Sequence, residues 1–162
     1  MTYRYSPASQ AHHDTLCPEL QETMNLVLER WDHTLFCGYR GEAAQNEALA
    51  NGTSTKKFGE SKHNVFPSDA VDAGPYYPDV PKGGIDWRTD KELLIAAQRG
   101  DWVAFRAILE NIKRWYAFSA FVRGVGWGKG RYIIRSGCDW NNDQRFNDHS
   151  LIDLPHHEIV RP

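Results

Sequence analysis

Ser61-Lys62-His63-Asn64-Val65-Phe66-Pro67-Ser68-Asp69-Ala70-Val71-Asp72 runs from a polar loop through a proline into a short apolar stretch that closes on a carboxylate. Ala70-Val71-Asp72-Ala73 reads as a strand, and a strand end can hold Asp72 in a fixed geometry. A matching segment lies near the other end of the chain, Asp153-Leu154-Pro155-His156-His157-Glu158-Ile159-Val160. Its second part, His156 to Val160, reads as the last strand. Alternating faces put His156 and Glu158 on one side and His157 on the other. Pro155 bars a regular helix, so a turn into this strand can bring Asp153 to the same site as His156. A third segment, Gly38-Tyr39-Arg40-Gly41, overlaps the end of an apolar strand over Thr34 to Tyr39.

Around these segments the periodicity predicts helices. Pro18 to Trp31 carries Leu20, Met24, Leu26, Val27 and Leu28, with Pro18 where a first helical turn tolerates it. Glu42 to Ala50 is a second helix ended by Asn51-Gly52. Helices then fill Asp90 to Arg99 and Trp102 to Val125, with a break at Gly100. Tyr132 to Arg135 is a further strand. Helices and short strands mix without β-α-β alternation, which predicts an α+β fold with a small antiparallel sheet.

The 162 residues fit one domain, expected over 1–162 with a core of about 15–160 and no wall-binding domain. Net charge is −2 with both signs scattered, so no basic footprint points to nucleic acid. No stretch approaches the roughly 18 apolar residues of a membrane span. Arg4 is followed by no apolar run, so no secretory signal is read. Cys17, Cys37 and Cys138 have no paired spacing and are expected as free thiols.

Histidine and carboxylate in separated segments suit a catalytic zinc site, in which two His and one Asp leave a fourth position for water. Such a site lowers the pKa of the water towards about 7 and needs a nearby carboxylate to take its proton. On these residues the chain resembles the phage branch of the D-alanyl-D-alanine carboxypeptidase and L-alanyl-D-glutamate endopeptidase family of zinc peptidases. That branch reads Gly-His-Arg-Gly, Ser-Lys-His-Asn, Pro-Ser-x-Ala-Val-Asp, Gly-Gly-Asp-Trp and Asp-Leu-Pro-His-Phe-Glu in order. Here the same order holds Gly38-Tyr39-Arg40-Gly41, Ser61 to Asn64, Pro67 to Asp72, Gly137-Cys138-Asp139-Trp140 and Asp153 to Glu158. The resemblance implies zinc on His63, Asp72 and His156, with Asp153 as catalytic acid/base and Arg40 as substrate or oxyanion contact. It also implies a hedgehog/DD-peptidase-like fold with the zinc site at the sheet, and an endolysin that cuts peptidoglycan stem peptides. L-Ala–D-Glu cleavage is the first choice. A D-Ala-D-Ala carboxypeptidase or dipeptidase, or a zinc-bearing binding module without catalysis, are the alternatives.

Tyr39 stands for the branch's usual His, Cys138 for Gly and His157 for Phe, and residues 88 to 105 are longer than the usual connection. Asp69 rivals Asp72 as a ligand, and His157 rivals His156. Asp139, Asn141, Asp143 and Asp148 gather oxygen ligands as a calcium loop does. Gln144 and Ser150 stand where an EF-hand needs Gly and Glu, so a solvated acidic turn competes with a Ca2+ site.

The chain is expected to act as a monomer on the stem peptide. It is expected to stay in the host cytoplasm until a holin-like protein opens a way to the periplasm or cell wall. Cytoplasmic expression alone should therefore leave culture turbidity unchanged, and permeabilising the membrane should trigger lysis. Rapid lysis without a permeabilising partner would count against this route.

Overall fold

The structure is a computed structural model that describes residues 3–80, 84–146 and 152–161. The chain begins with a helix that the periodicity does not announce, α1 (Pro7–His13). Its signals are local: the Ser6 side chain accepts from the Ser9 backbone N–H, and Pro7 occupies the first turn. Helix α2 (Pro18–Leu28) buries Leu20, Met24, Val27 and Leu28 along one side. It stops short of Trp31, whose ring instead packs edge-on against Phe118. Then come β1 (His33–Cys37), α3 (Glu42–Ala50), a 3-10 turn over Lys62–Asn64 and β2 (Ala70–Pro75). Helices α4 (Asp90–Gln98) and α5 (Trp102–Trp127) are separated at Gly100, whose φ of +67° suits a glycine between helices. Strands β3 (Ile133–Gly137) and β4 (Asp153–Val160) complete the chain. No helix among the described residues is long and apolar enough to cross a membrane.

The four strands form one antiparallel sheet in the order β1-β2-β4-β3. The fold is thus α+β, as expected. Helix α5 lies against β2, β3 and β4, and α2 packs against α5. Leu20, Met24, Leu35, Val71, Phe118 and Ile134 meet in the core, each at most 2% exposed. Full burial of such side chains stabilises by about 1.5–3 kcal/mol each. The opposite face of β2 and β4 is left for chemistry.

Strand β4 starts earlier than read, at Asp153 rather than His156. Its register with β3 jumps between Ser136 and Gly137, from His157 to Asp153, and Pro155 falls within that irregularity, where a missing N–H breaks no ladder. A Cβ on Gly137 would lie 2.3 Å from the Asp153 carbonyl oxygen, so only glycine allows this approach.

His33 opens β1 at 3% exposure, between the rings of Tyr5 and Phe118. Its Nδ1 donates to the Trp31 carbonyl at 2.9 Å, and Nε2 lies 3.1 Å from the Tyr5 hydroxyl. Burial lowers its pKa to about 4. The unfolded chain, with an ordinary His pKa near 6.5, then binds more protons than the fold between these two values. His33 therefore contributes stability above about pH 6.5 that is lost as pH falls towards 4, up to about 1.4 kcal/mol per pH unit. Thermal melts followed by circular dichroism should show the midpoint falling across this window, with a shallower fall for His33→Gln. Equal slopes for the two proteins would contradict the assignment.

Candidate metal centre

Asp72 and His156 are direct partners across β2 and β4. Their side chains therefore rise from the same face of the sheet. His63 comes from the 3-10 turn, which the neighbouring motif residues hold in place. The Asn64 side chain accepts from the backbone of Gly59 and Ser61, and donates to the Arg40 carbonyl and Gln45. The Arg40 backbone N–H in turn donates to the His63 carbonyl at 2.8 Å. Gln45 is fully buried and anchors α3 to this loop. The polar run Ser61 to Asn64 is thus a built support for one imidazole.

Three ligand atoms converge. His63 Nε2 lies 3.1 Å from Asp72 Oδ1, His156 Nδ1 lies 3.2 Å from the same oxygen, and the two nitrogens are 3.2 Å apart. The outer ring nitrogens fix the tautomers. His63 Nδ1 is 2.7 Å from the Gly38 carbonyl, which only accepts, so Nδ1 carries hydrogen. His156 Nε2 is 3.1 Å from a Glu158 carboxylate oxygen and carries hydrogen too. In the neutral rings, His63 Nε2 and His156 Nδ1 then present lone pairs to each other and to a carboxylate. Three such acceptors are stable together only around a positive charge. A tetrahedral metal with bonds near 2.0–2.1 Å would place its ligand atoms about 3.3 Å apart. The donor set fits a transition metal, and each imidazole already has the outer hydrogen-bond partner that orients a ligand.

The electrostatics agree. Burial alone would lower the His63 pKa, but the Asp72 carboxylate outweighs it and raises the value to about 10. His156 is raised against the same burial penalty by Asp72 and Glu158. Burial opposes ionisation of Asp72, yet His156 and His63 hold its pKa far below the ordinary range. The centre therefore attracts positive charge.

Cys37 belongs to the same neighbourhood: its sulfur and ligand atoms of His63 and Asp72 lie within 4.8 Å of one another. This wider grouping leaves out His156, but the 3.2 Å contacts put His156 closer to the centre. Arg40 donates through Nη2 to Asp72 Oδ2 at 3.3 Å and to Cys37 Sγ at 3.5 Å. Asp153 opens β4 and lines a cavity of about 310 Å3 with Trp87, Trp115, Tyr116, Leu154 and Pro155. Burial raises the Asp153 pKa, and the charge of Asp72 adds to the rise.

The rival ligands sit elsewhere. Asp69 is ion-paired with Arg161 at 2.8 Å. His157 points to the α5 side, against Phe118 and 2.8 Å from Ser136 Oγ. Asp139 is not solvated as expected of an acidic turn. It is wholly buried, its oxygens accepting from Arg123 at 2.8 Å and from the backbone N–H groups of Asp143 and Gln144. The Asn141 side chain accepts from the backbone N–H of Asp143, and that of Asp143 from the backbone N–H of Arg145. Asp148 lies outside the described residues. Sequence reading missed Cys37 and Arg135; Arg135 donates to Glu158 and thereby backs His156. The strand parity of Glu158 was the available signal.

The family model described as phage L-alanyl-D-glutamate peptidase matches residues 1–99. The L-alanyl-D-glutamate peptidase of Escherichia phage T5 is 31% identical over 151 residues, covering 91% of this chain and 89% of the relative. The chain belongs to the phage L-alanyl-D-glutamate peptidase family. It is a peptidase and a lytic peptidoglycan hydrolase of that kind. The crystal structure of Serratia marcescens L-Ala D-Glu endopeptidase ChiX matches with a TM-score of 0.61 at 19% identity, covering 98% of this chain and 91% of that one. This likeness is one of fold.

Glu158→Gln keeps the shape of the side chain but gives up the charge that holds His156 Nε2–H. Affinity for a divalent metal should fall about 10–100-fold, read by competition with a chromophoric chelator. Unchanged affinity would remove Glu158 from the centre.

Proposed function

We propose that this L-alanyl-D-glutamate peptidase works with one zinc ion held by His63 Nε2, an Asp72 oxygen and His156 Nδ1. The convergence of three lone-pair donors within 3.2 Å carries the reading. Two nitrogens and one oxygen suit zinc better than calcium or magnesium, which prefer oxygen alone. When bound, zinc supplies Lewis acidity, activating a water near neutral pH and polarising the scissile carbonyl. The acidic loop stands apart from this reading, since both Asp139 oxygens are already engaged.

The chain's own residues do the rest. Asp153 lines the cavity, where the stem peptide of peptidoglycan would settle against Trp87, Trp115 and Tyr116. Its raised pKa brings it towards the range in which a carboxylate can both accept and return a proton. Asp153 takes the proton from the attacking water and delivers it to the nitrogen of the leaving D-glutamate. Arg40 places a guanidinium beside Asp72 and stabilises charge developing on the carbonyl oxygen. The same reading has a monomer delivered from the host cytoplasm to the wall through an opening made by a holin-like protein.

The test separates ligand from base. His156→Ala should lose the zinc, read by elemental analysis. Asp153→Asn should retain about one zinc per chain and lose about 10²–10⁴-fold in turnover of purified stem peptide. An Asp153 variant working near the native rate would overturn the mechanism, and active protein free of transition metal would overturn the zinc reading.

A further inference from the structure

Asp72 has a partner on each side in the sheet: His156 across β4 and Cys37 across β1. The second pairing depends on an irregularity. The β1–β2 register runs Thr34 to Gly74 and Leu35 to Ala73, then skips Phe36 and sets Cys37 opposite Asp72. In a regular ladder Phe36 would oppose Asp72 and Cys37 would share the side of Leu35, which is buried in the core. The bulge turns Cys37 to the metal face. Its sulfur there lies within 4.8 Å of the ligand atoms of His63 and Asp72, and accepts from Arg40 Nη2 at 3.5 Å.

We propose that Cys37 is the fourth protein ligand of the resting centre, its sulfur filling the position that catalysis must open. This rests on the zinc reading given above. Coordination moves no electrons between partners: the sulfur's proton passes to solvent, a sulfur–metal bond forms and a water leaves the metal. The Arg40 guanidinium faces the resulting thiolate, as it already faces the Asp72 carboxylate. Two anionic and two neutral ligands then balance a divalent ion. One cysteine, two histidines and one aspartate give the closed shell of a tetrahedral site. Catalysis needs the sulfur to yield its place, so Cys37 acts as an exchangeable latch.

Cys17 and Cys138 lie at 3% and 1% exposure, leaving Cys37 as the more accessible thiol. The full chain would be loaded with cobalt(II) in place of zinc, and its absorption compared with that of Cys37→Ser. Wild type should show a near-ultraviolet sulfur-to-cobalt charge-transfer band, absent from the variant, while both keep the visible bands of a tetrahedral ion. In wild type alone, zinc should slow iodoacetamide labelling of Cys37 at least tenfold, read by peptide mass. Visible bands without the charge-transfer band, together with labelling indifferent to zinc, would overturn the latch and leave the zinc reading standing. Failure of the wild-type chain to bind cobalt or zinc would overturn both.

Discussion

Asp72 and His156 oppose one another across the two central strands of a small sheet, and the site depends on that register. A slip of one residue in either strand would turn one of the two side chains to the opposite face of the sheet and separate the pair. The sheet secures the register by burying its other face: Val71 and Ala73 on β2, and His157 and Ile159 on β4, are all sealed against the helices. Packing on one side therefore fixes chemistry on the other. The hydrophobic layer beneath the sheet sets the register that brings the two side chains within 3.2 Å of each other.

The same economy runs outward. Glu158 is two residues along from His156 and shares its face, so it reaches the outer imidazole nitrogen with no extra scaffolding. Arg135 is the register partner of Glu158 on β3 and neutralises it. On the far side of the centre, Gly38 accepts from His63 through its carbonyl. A Cβ there would come within 2.2 Å of Thr15 Oγ1 and 2.5 Å of the His12 carbonyl oxygen. The glycine of Gly38-Tyr39-Arg40-Gly41 thus lets the chain press against α1 closely enough to aim one carbonyl at one histidine.

Much of this was legible in the sequence because it follows short-range rules. Helix α3 has the bounds that its pattern and its Asn51-Gly52 ending predict. The face-sharing of His156 and Glu158, and the opposite placement of His157, follow from strand alternation alone. Long-range geometry was not legible. Nothing local to Cys37 says that a bulge turns it towards Asp72, because that depends on pairing with a strand far along the chain. Asp139 reads as a polar-loop residue until Arg123, on a distant turn of α5, is seen to bury it. Helix α1 escaped because its seven residues show no apolar stripe, although Ser6-Pro7 marked its start. Strand β4 was read short because Pro155 resembles a break, whereas an irregular ladder takes it in.

The centre also joins parts of the chain that are far apart in sequence. His63 and His156 are separated by 93 positions, and Asp72 bridges them. In the unfolded chain those positions are independent, so a single ion held between them would close a long loop and act on chain entropy as a crosslink does. A ligand that binds only the folded form adds stability in proportion to the logarithm of its free concentration above its dissociation constant. Strand β4 would thereby be clasped to β2 and to the turn that carries His63. Resistance to proteases and to heat would then become a reading of how much free metal surrounds the protein, and a chelator would act on the fold as well as on the reaction.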